Sequence, residues 1–334
     1  MSTKIKIAIN GFGRIGRAAF KTALNHPEIE VAGINDLGKA NVFAHLLKYD
    51  SAYGPFNKKI TAKGSVLTID GKKYPLTSEK DPSKLPWKKL GVDVVLECTG
   101  RFTNYKDSSN HLKAGAKKVI ISAPAKDKRT PIFMPGVNEK EYKGEKVINM
   151  GSCTTNCIAP IMKVMCQKFG VLKSLMTTVH SYTSDQRLLD NYHQDLRRAR
   201  TAAANIVPTT TGAAIATAQA LPELNNLFDG MALRVPTPVV SLADITLVTK
   251  KKVTQARVNQ VFRQAAASKD LKKIIAVTNK PLVSSDFISD THSAIIDLSL
   301  TKVIDKDLVK ITAWYDNEWG YSNRLVEMVS VVGK

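Results

Sequence analysis

Two short stretches of the 334-residue chain place chemically capable residues at telling intervals. Gly11-Phe12-Gly13-Arg14-Ile15-Gly16 has the form G-x-G-x-x-G, after an alternating apolar segment and at the head of a helical pattern. There the first glycine permits a tight turn and the second lets the backbone approach a pyrophosphate. The third lets helix pack on strand, with the helix N-terminus facing the phosphate charge. About 20 residues beyond Gly16, the next strand pattern ends in Asn35-Asp36. A carboxylate at Asp36 can accept hydrogen bonds from adenosine ribose hydroxyls and repels a 2′-phosphate. Together these features predict dinucleotide binding, with NAD preferred over NADP.

The second stretch is Gly151-Ser152-Cys153-Thr154-Thr155-Asn156-Cys157, where a strand pattern ends and a long helix pattern begins. A cysteine at a helix N-terminus feels the positive end of the dipole, which lowers its thiol pKa and favours thiolate. The hydroxyls of Ser152 and Thr154 can orient a substrate or an anion beside it. Of the six histidines, His180 closes the strand pattern Leu172–Val179 and leads into Ser181-Tyr182-Thr183, so it can project into a cleft. Cysteine plus histidine gives nucleophilic catalysis at a carbonyl. On chemistry alone, Cys153 is as readily a packed structural cysteine as a nucleophile. Cys157 and Cys166 fall at helical spacing and are expected to be buried. No second Cys/His pair has ligand spacing, so no metal is expected.

The elements that must position these groups follow from periodicity. Lys4–Ile9, Ile29–Asn35, Val92–Cys98, Val119–Ser122 and Lys146–Asn149 read as strands, with helices over Phe12–Asn25 and Asn41–Lys48. Strands separated by helices predict an α/β doubly wound parallel sheet. Residues 55–77 read as an antiparallel insertion around Gly64 and Gly71. Beyond residue 150 the rhythm changes. A helix over Cys153–Phe169 precedes strands at Leu172–Val179, Met231–Val235, Val239–Thr249 and Ser293–Thr301. A helix spans Thr254–Ala267 and another Asn323–Val332. This second half reads as an antiparallel α+β domain.

Composition narrows the setting. Hydrophobic residues make up 43% and charged residues 23%, which excludes a disordered chain. No apolar run approaches the roughly 20 residues of a membrane-spanning helix. Four cysteines are too few for a disulfide scaffold, and the N-terminus carries no secretory pattern, so a cytoplasmic location is expected. Lys plus Arg number 49 against 29 Asp plus Glu, a net charge of +20 spread along the chain. That surplus suits a solvated basic surface that attracts phosphates, and nucleic acid enters only as a secondary partner.

Together with Ile9-Asn10 and Arg17 around the glycines, Thr211-Gly212-Ala213-Ala214, Arg234-Val235-Pro236-Thr237 and Trp314-Tyr315-Asp316-Asn317-Glu318-Trp319-Gly320-Tyr321, both motifs resemble the glyceraldehyde-3-phosphate dehydrogenase family. The resemblance runs from Lys6 to about Val329. It implies a Rossmann NAD-binding domain over 1–152, a catalytic domain with a mainly antiparallel sheet over 153–316, and a C-terminal helix over 317–334 returning to the first domain. It further implies a homotetramer that oxidises glyceraldehyde 3-phosphate with NAD and inorganic phosphate to 1,3-bisphosphoglycerate in glycolysis or gluconeogenesis.

By that resemblance the Cys153 thiolate attacks the aldehyde, and His180 takes the proton and assists hydride transfer. Thr183 and Arg234, with Arg198 nearby, fall at the substrate phosphate. Ser152, Thr154, Thr211 and Gly212 fall at the attacking phosphate. Asn317 holds the nicotinamide carboxamide. Asn10, Gly11, Gly13, Arg14, Ile15, Asp36, Lys80 and Ser122 contact the rest of NAD. Departures accompany the match. Asn191-Tyr192 stand where Leu-Pro is usual, which leaves NADP admissible. Met150 replaces an Asn, so a hydrogen bond supporting the cysteine loop is expected to be missing. Lys80 replaces an Arg, which weakens a contact. Ile215 and Val239 replace Lys and Asn with no assigned consequence. Erythrose-4-phosphate dehydrogenase is the nearest alternative, sharing a Tyr-His pair like Tyr192-His193, whereas Thr183 and Thr211 favour the triose enzyme.

Overall fold

A computed structural model describes residues 4–333. It contains two compact units. One comprises the chain up to Pro135, Glu139–Gly151, and the chain from Ser322 onward; the other comprises Gly136–Asn138 and Ser152–Tyr321.

The first unit opens β1 (Ile5–Asn10), α1 (Arg14–Ala23), β2 (Ile29–Asn35) and α2 (Ala40–Lys48), the alternation read from the sequence. The hairpins β3 (Ile60–Lys63), β4 (Val66–Ile69) and β5 (Lys72–Thr77) form the antiparallel insertion, and β5 then joins β2 in parallel. Next come α3 (Trp87–Leu90), β6 (Val94–Glu97), α4 (Tyr105–Ser108), α5 (Asn110–Lys113), β7 (Lys118–Ile121) and β8 (Val147–Asn149). The sheet order is β3-β4-β5-β2-β1-β6-β7-β8, and every pair from β5 to β8 is parallel. The chain goes from β1 to β2 on one side and later to β6 on the other. Their carboxyl ends therefore flank a switch point, where doubly wound sheets bind ligands.

The second unit starts with α6 (Cys153–Phe169) and continues β9 (Val171–Ser181), β10 (Val207–Thr210), α7 (Ala213–Ala220), β11 (Phe228–Val235), β12 (Ser241–Thr249), α8 (Gln255–Ala267), β13 (Ile275–Thr278), β14 (Ala294–Asp297), β15 (Lys302–Ile304) and β16 (Leu308–Tyr315). The last helix, α9 (Trp319–Val332), belongs to the first unit from Ser322 onward. The second sheet runs β10-β11-β9-β12-β16-β14-β13, with β15 on β16. It is mainly antiparallel, as expected, but β9–β11 and β13–β14 pair in parallel. The strand expected over Ser293–Thr301 stops at Asp297. There the carboxylate accepts from Ser299 N and Oγ and turns the chain. Alternation along β12 buries Ala243, Ile245 and Leu247, and β9 buries Met176, Thr178 and His180.

Candidate active site

In the first unit the glycines do different work. Gly11 has φ +92°, and a Cβ there would lie 2.7 Å from the Cys98 carbonyl carbon and the Thr99 nitrogen. A Cβ on Gly16 would strike the Gly11 carbonyl oxygen, so this glycine seats α1 on the turn. A Cβ on Gly13 would meet nothing within 4 Å. Gly13 therefore needs no room inside the protein, and its exposed backbone faces open space at the N-terminus of α1. The first turn of that helix holds no acidic residue to neutralise its positive end. Asp36 Oδ2 accepts from Phe12 N at 2.7 Å, which ties the carboxylate to the glycine turn.

A hollow of about 400 Å³ opens here, lined by Asn10, Gly11, Gly13, Asp36, Lys80 and Thr99 among others. A dinucleotide fits these groups: open glycine backbone for the pyrophosphate and a carboxylate for a ribose. Of the other expected contacts, Ile15 is half-buried and Ser122 follows β7. The Arg14 guanidinium is drawn to Asp50 at 3.0 Å and lies over the Tyr53 ring.

In the second unit, Ser152 caps α6. Its Oγ accepts from Thr155 N at 3.1 Å, and the Thr155 hydroxyl oxygen accepts from Ser152 N. This box puts Cys153 at the first helical position, and its Sγ lies 3.4 Å from His180 Nε2. His180 Nδ1 is 2.7 Å from the Ser181 carbonyl oxygen, which can only accept. The proton therefore sits on Nδ1, and the Nε2 lone pair faces the thiol. That is a base aimed at an acid.

Both groups are held neutral. Burial, with the Arg234 charge next, pushes His180 down to about 3 against the opposing Ser181 hydrogen bond. The thiol departs from the dipole argument. Burial raises its pKa above the ordinary value, although Arg234 and the Thr154 hydroxyl and backbone pull it down. The helix end is present, but the pocket is too dry for it to prevail. Thiolate forms when the proton crosses to Nε2. Cys157 is buried as expected, whereas Cys166 is only half-buried.

Arg234 Nη1 donates to Ser181 O at 3.2 Å and reaches Thr183 Oγ1 at 3.4 Å. Its Nε is buried with no hydrogen-bond partner among the described residues. The Arg198 fork is already engaged by Thr209 Oγ1, Asp185 Oδ2 and Thr210 O. Its charge is still felt at Arg234. Thr211 and Gly212 precede α7, where Thr211 Oγ1 accepts from Ala213 N. No hydrogen bond among the described residues links Arg198, Thr211 or Gly212 to the Cys153–His180 pair.

Other contacts of the site are not given by the motifs. Tyr315 is buried, with its hydroxyl 2.9 Å from Thr154 Oγ1 and 2.7 Å from Thr178 Oγ1, and its ring stands edge-on to His180. Ser181 Oγ and Ser241 Oγ both donate to Asn317 Oδ1, at 3.0 and 3.1 Å. With its oxygen so held, Asn317 presents its N–H₂ end elsewhere. The residue before Ser241, Val240, is buried with φ +69°, a backbone region that costs a β-branched residue about 1–3 kcal/mol. One residue before Met150, the cysteine loop is braced from Asn149. Asn149 Oδ1 accepts from Gly151 N at 3.0 Å, and its Nδ2 donates to the Thr130 and Pro131 carbonyls.

A dinucleotide-type parallel sheet in one unit and a cysteine facing a histidine base in the other define the class of thiol-dependent dehydrogenases. Residues 5–105 match the NAD binding domain of glyceraldehyde 3-phosphate dehydrogenase, and residues 152–317 match the C-terminal domain of the same enzyme. The chain is 52% identical over 330 residues to glyceraldehyde-3-phosphate dehydrogenase of Geobacillus stearothermophilus, covering 98% of each. It is 50% identical over 333 residues to the Zymomonas mobilis enzyme, covering 99% of each. The chain belongs to the glyceraldehyde-3-phosphate dehydrogenase family. Among the described residues no three His, Cys, Asp or Glu side chains gather as metal ligands, and no helix is long and apolar enough to cross a membrane.

Proposed function

We propose that the protein oxidises glyceraldehyde 3-phosphate to 1,3-bisphosphoglycerate, consuming NAD and inorganic phosphate. The observation that carries this reading is the 3.4 Å approach of Cys153 Sγ to the unprotonated Nε2 of His180, beside Arg234. In this reading Sγ attacks the aldehyde carbon while its proton moves to Nε2 and from there to the former carbonyl oxygen, giving a hemithioacetal on Cys153 and restoring neutral His180. The Cys153 N–H, at the first helical position with no intrahelical acceptor, stabilises the developing oxyanion together with His180. NAD, when bound, supplies the hydride acceptor that converts the hemithioacetal to a thioester. His180 removes the hydroxyl proton, and phosphate oxygen then attacks the thioester carbon, releasing Cys153 sulfur and forming the acyl phosphate.

Arg234 and Thr183, supported by Arg198, hold the substrate phosphate, because a guanidinium fork donates to two phosphate oxygens at once. Ser152, Thr154, Thr211 and Gly212 receive the attacking phosphate. Asp36 holds the adenosine ribose, Asn10, Gly11, Gly13, Arg14 and Ile15 the pyrophosphate region, and Lys80 and Ser122 flank the cofactor. Asn317 donates to the nicotinamide carboxamide. The same reading gives residues 1–152 to the cofactor, 153–316 to the chemistry, and 317–334 to a returning helix, in a cytoplasmic homotetramer.

Steady-state NADH formation with glyceraldehyde 3-phosphate and with erythrose 4-phosphate tests the substrate. Faster, phosphate-dependent turnover of the triose is the expected result, and faster turnover of the tetrose contradicts it.

A further inference from the structure

Beneath the glycine turn lies a chain of buried polar side chains that no step of the reaction uses. Glu97 ends β6, Asn10 ends β1 and Asn35 ends β2, so all three stand at the carboxyl edge of the sheet around its switch point. Glu97 is 1% exposed, and His111, on the short helix α5, is fully buried. Trp87 Nε1 can only donate, and it lies 3.0 Å from His111 Nδ1. His111 must therefore accept at Nδ1 and carry its proton on Nε2, which donates to Glu97 Oε2 at 3.0 Å. Asn10 Nδ2 donates to the same oxygen at 2.6 Å. Thr99 donates to Oε1 from both its backbone N–H, at 2.8 Å, and its hydroxyl. Glu97 thus accepts four hydrogen bonds and donates none, the pattern of an ionised carboxylate.

The chain continues on the far side. Asn10 Oδ1 accepts from Asn35 Nδ2 at 2.7 Å, and Asn35 Oδ1 accepts from Thr77 Oγ1 and Glu79 N. The bonds linking Trp87, His111 and Glu97 on one flank, and Asn35, Asn10 and Glu97 on the other, point their donors toward Glu97 and reinforce one another. Asn35 Nδ2 also donates to the Glu79 carbonyl, and Thr77 Oγ1 to the Ile34 carbonyl. Two of its partners, Asn10 and Thr99, are lining groups of the cofactor hollow. Both are hydrogen-bonded to the one Glu97 carboxylate. Gly11 sits between them, and its close approach to Cys98 and Thr99 leaves no slack.

We propose that Glu97 and His111 are positioning residues for the dinucleotide: His111, oriented by Trp87, holds the Glu97 carboxylate so that Asn10 and Thr99 are preset for cofactor. The proposal rests on the reading of that hollow as the NAD site. A merely structural role would lower stability without changing affinity, because the fold would be weaker but the walls, once folded, unchanged. The two roles separate in measurement.

The test compares calorimetric NAD affinity and melting temperature in the full-length protein and in Glu97→Gln, His111→Leu, His111→Gln and Trp87→Phe. Glu97→Gln replaces one acceptor oxygen by a donor, which faces either Thr99 or the Asn10 and His111 donors. It is expected to weaken NAD binding about tenfold or more. His111→Leu is expected to do the same, while His111→Gln, which keeps an acceptor and a donor, restores most of the affinity. Trp87→Phe gives a weaker loss of the same sign, although Trp87 does not touch the hollow, and serves if His111→Leu does not fold. Wild-type NAD affinity in these variants, with only the melting temperature lowered, overturns the proposal. Failure of the wild-type protein itself to bind NAD would instead overturn the cofactor reading beneath it.

Discussion

Arg234 stands directly opposite His180 on the parallel strands β11 and β9, with its Nη1 3.1 Å from the imidazole Nδ1. Both nitrogens reach one acceptor, the Ser181 carbonyl oxygen, at 3.2 and 2.7 Å. Two donors converging on one oxygen cannot bond each other, so their relation is electrostatic. The fixed guanidinium charge opposes a second proton on the ring and keeps Nε2 available as a base. The same charge favours a thiolate at Cys153.

Removing that charge should therefore raise the pKa of His180. In Arg234→Gln, NMR titration of the imidazole should move upward from the wild-type value of about 3 toward the ordinary 6.5. A phosphate ester bound to the wild-type protein should shift it in the same direction by neutralising Arg234. No shift in either experiment would contradict the electrostatic relation.

Stability should have two pH limbs from this pair. His180 is depressed in the fold, so its contribution is present above 6.5 and is lost as pH falls from 6.5 toward about 3. Cys153 is raised, so its contribution is present below 9.0 and is lost as pH climbs beyond that. Melting temperatures across pH should show a flatter acid limb in His180→Gln and a flatter alkaline limb in Cys153→Ser.

The paired serines on Asn317 give a third expectation. Each neutral hydrogen bond is worth about 0.5–1.5 kcal/mol. Ser241→Ala alone should raise the KM for NAD roughly threefold, since Ser181 still holds the oxygen. The double variant with Ser181→Ala should raise it roughly tenfold and also lower kcat, because the amide is then free to flip. Equal kinetics for the single and double variants would contradict a shared anchoring role.

Asp36 should govern the choice of dinucleotide. Its carboxylate is held at the glycine turn by Phe12 N and Gly38 N, where a ribose 2′-phosphate would be repelled. Asp36→Ala should reduce the NAD-over-NADP ratio of kcat/KM roughly tenfold or more, measured with both cofactors. An unchanged ratio would place the discrimination elsewhere.

Much of this was legible in the sequence where local pattern and chemistry coincide. The β1–α1–β2 unit declared itself through glycines and a terminal acid, and α6 through a long helical period, while its Ser152–Thr155 capping box emerged only in the fold. The central strand β16 was not read, although Val309, Ile311 and Ala313 alternate toward burial. It carries Tyr315, whose hydroxyl meets Thr154 and Thr178 only after distant strands pair. Glu97 closing the apolar run Val94-Val95-Leu96 was a signal available in the sequence, since a buried carboxylate needs donors. Its partners Asn10 and His111 are brought together by topology, which no spacing reveals. The rise in the Cys153 pKa was likewise hidden, because burial is a property of the folded pocket and the helix end alone suggested the opposite.

The account turns on a thioester carried by Cys153. The direct measurement is to mix the protein with NAD and glyceraldehyde 3-phosphate while withholding phosphate, then follow NADH and the mass of the peptide containing Cys153. A burst of about one NADH per subunit is predicted. An acyl adduct should appear on Cys153, turnover should resume when phosphate is added, and Cys153→Ser should show neither burst nor adduct. Sustained NADH formation without phosphate, or an adduct on any other residue, would contradict it.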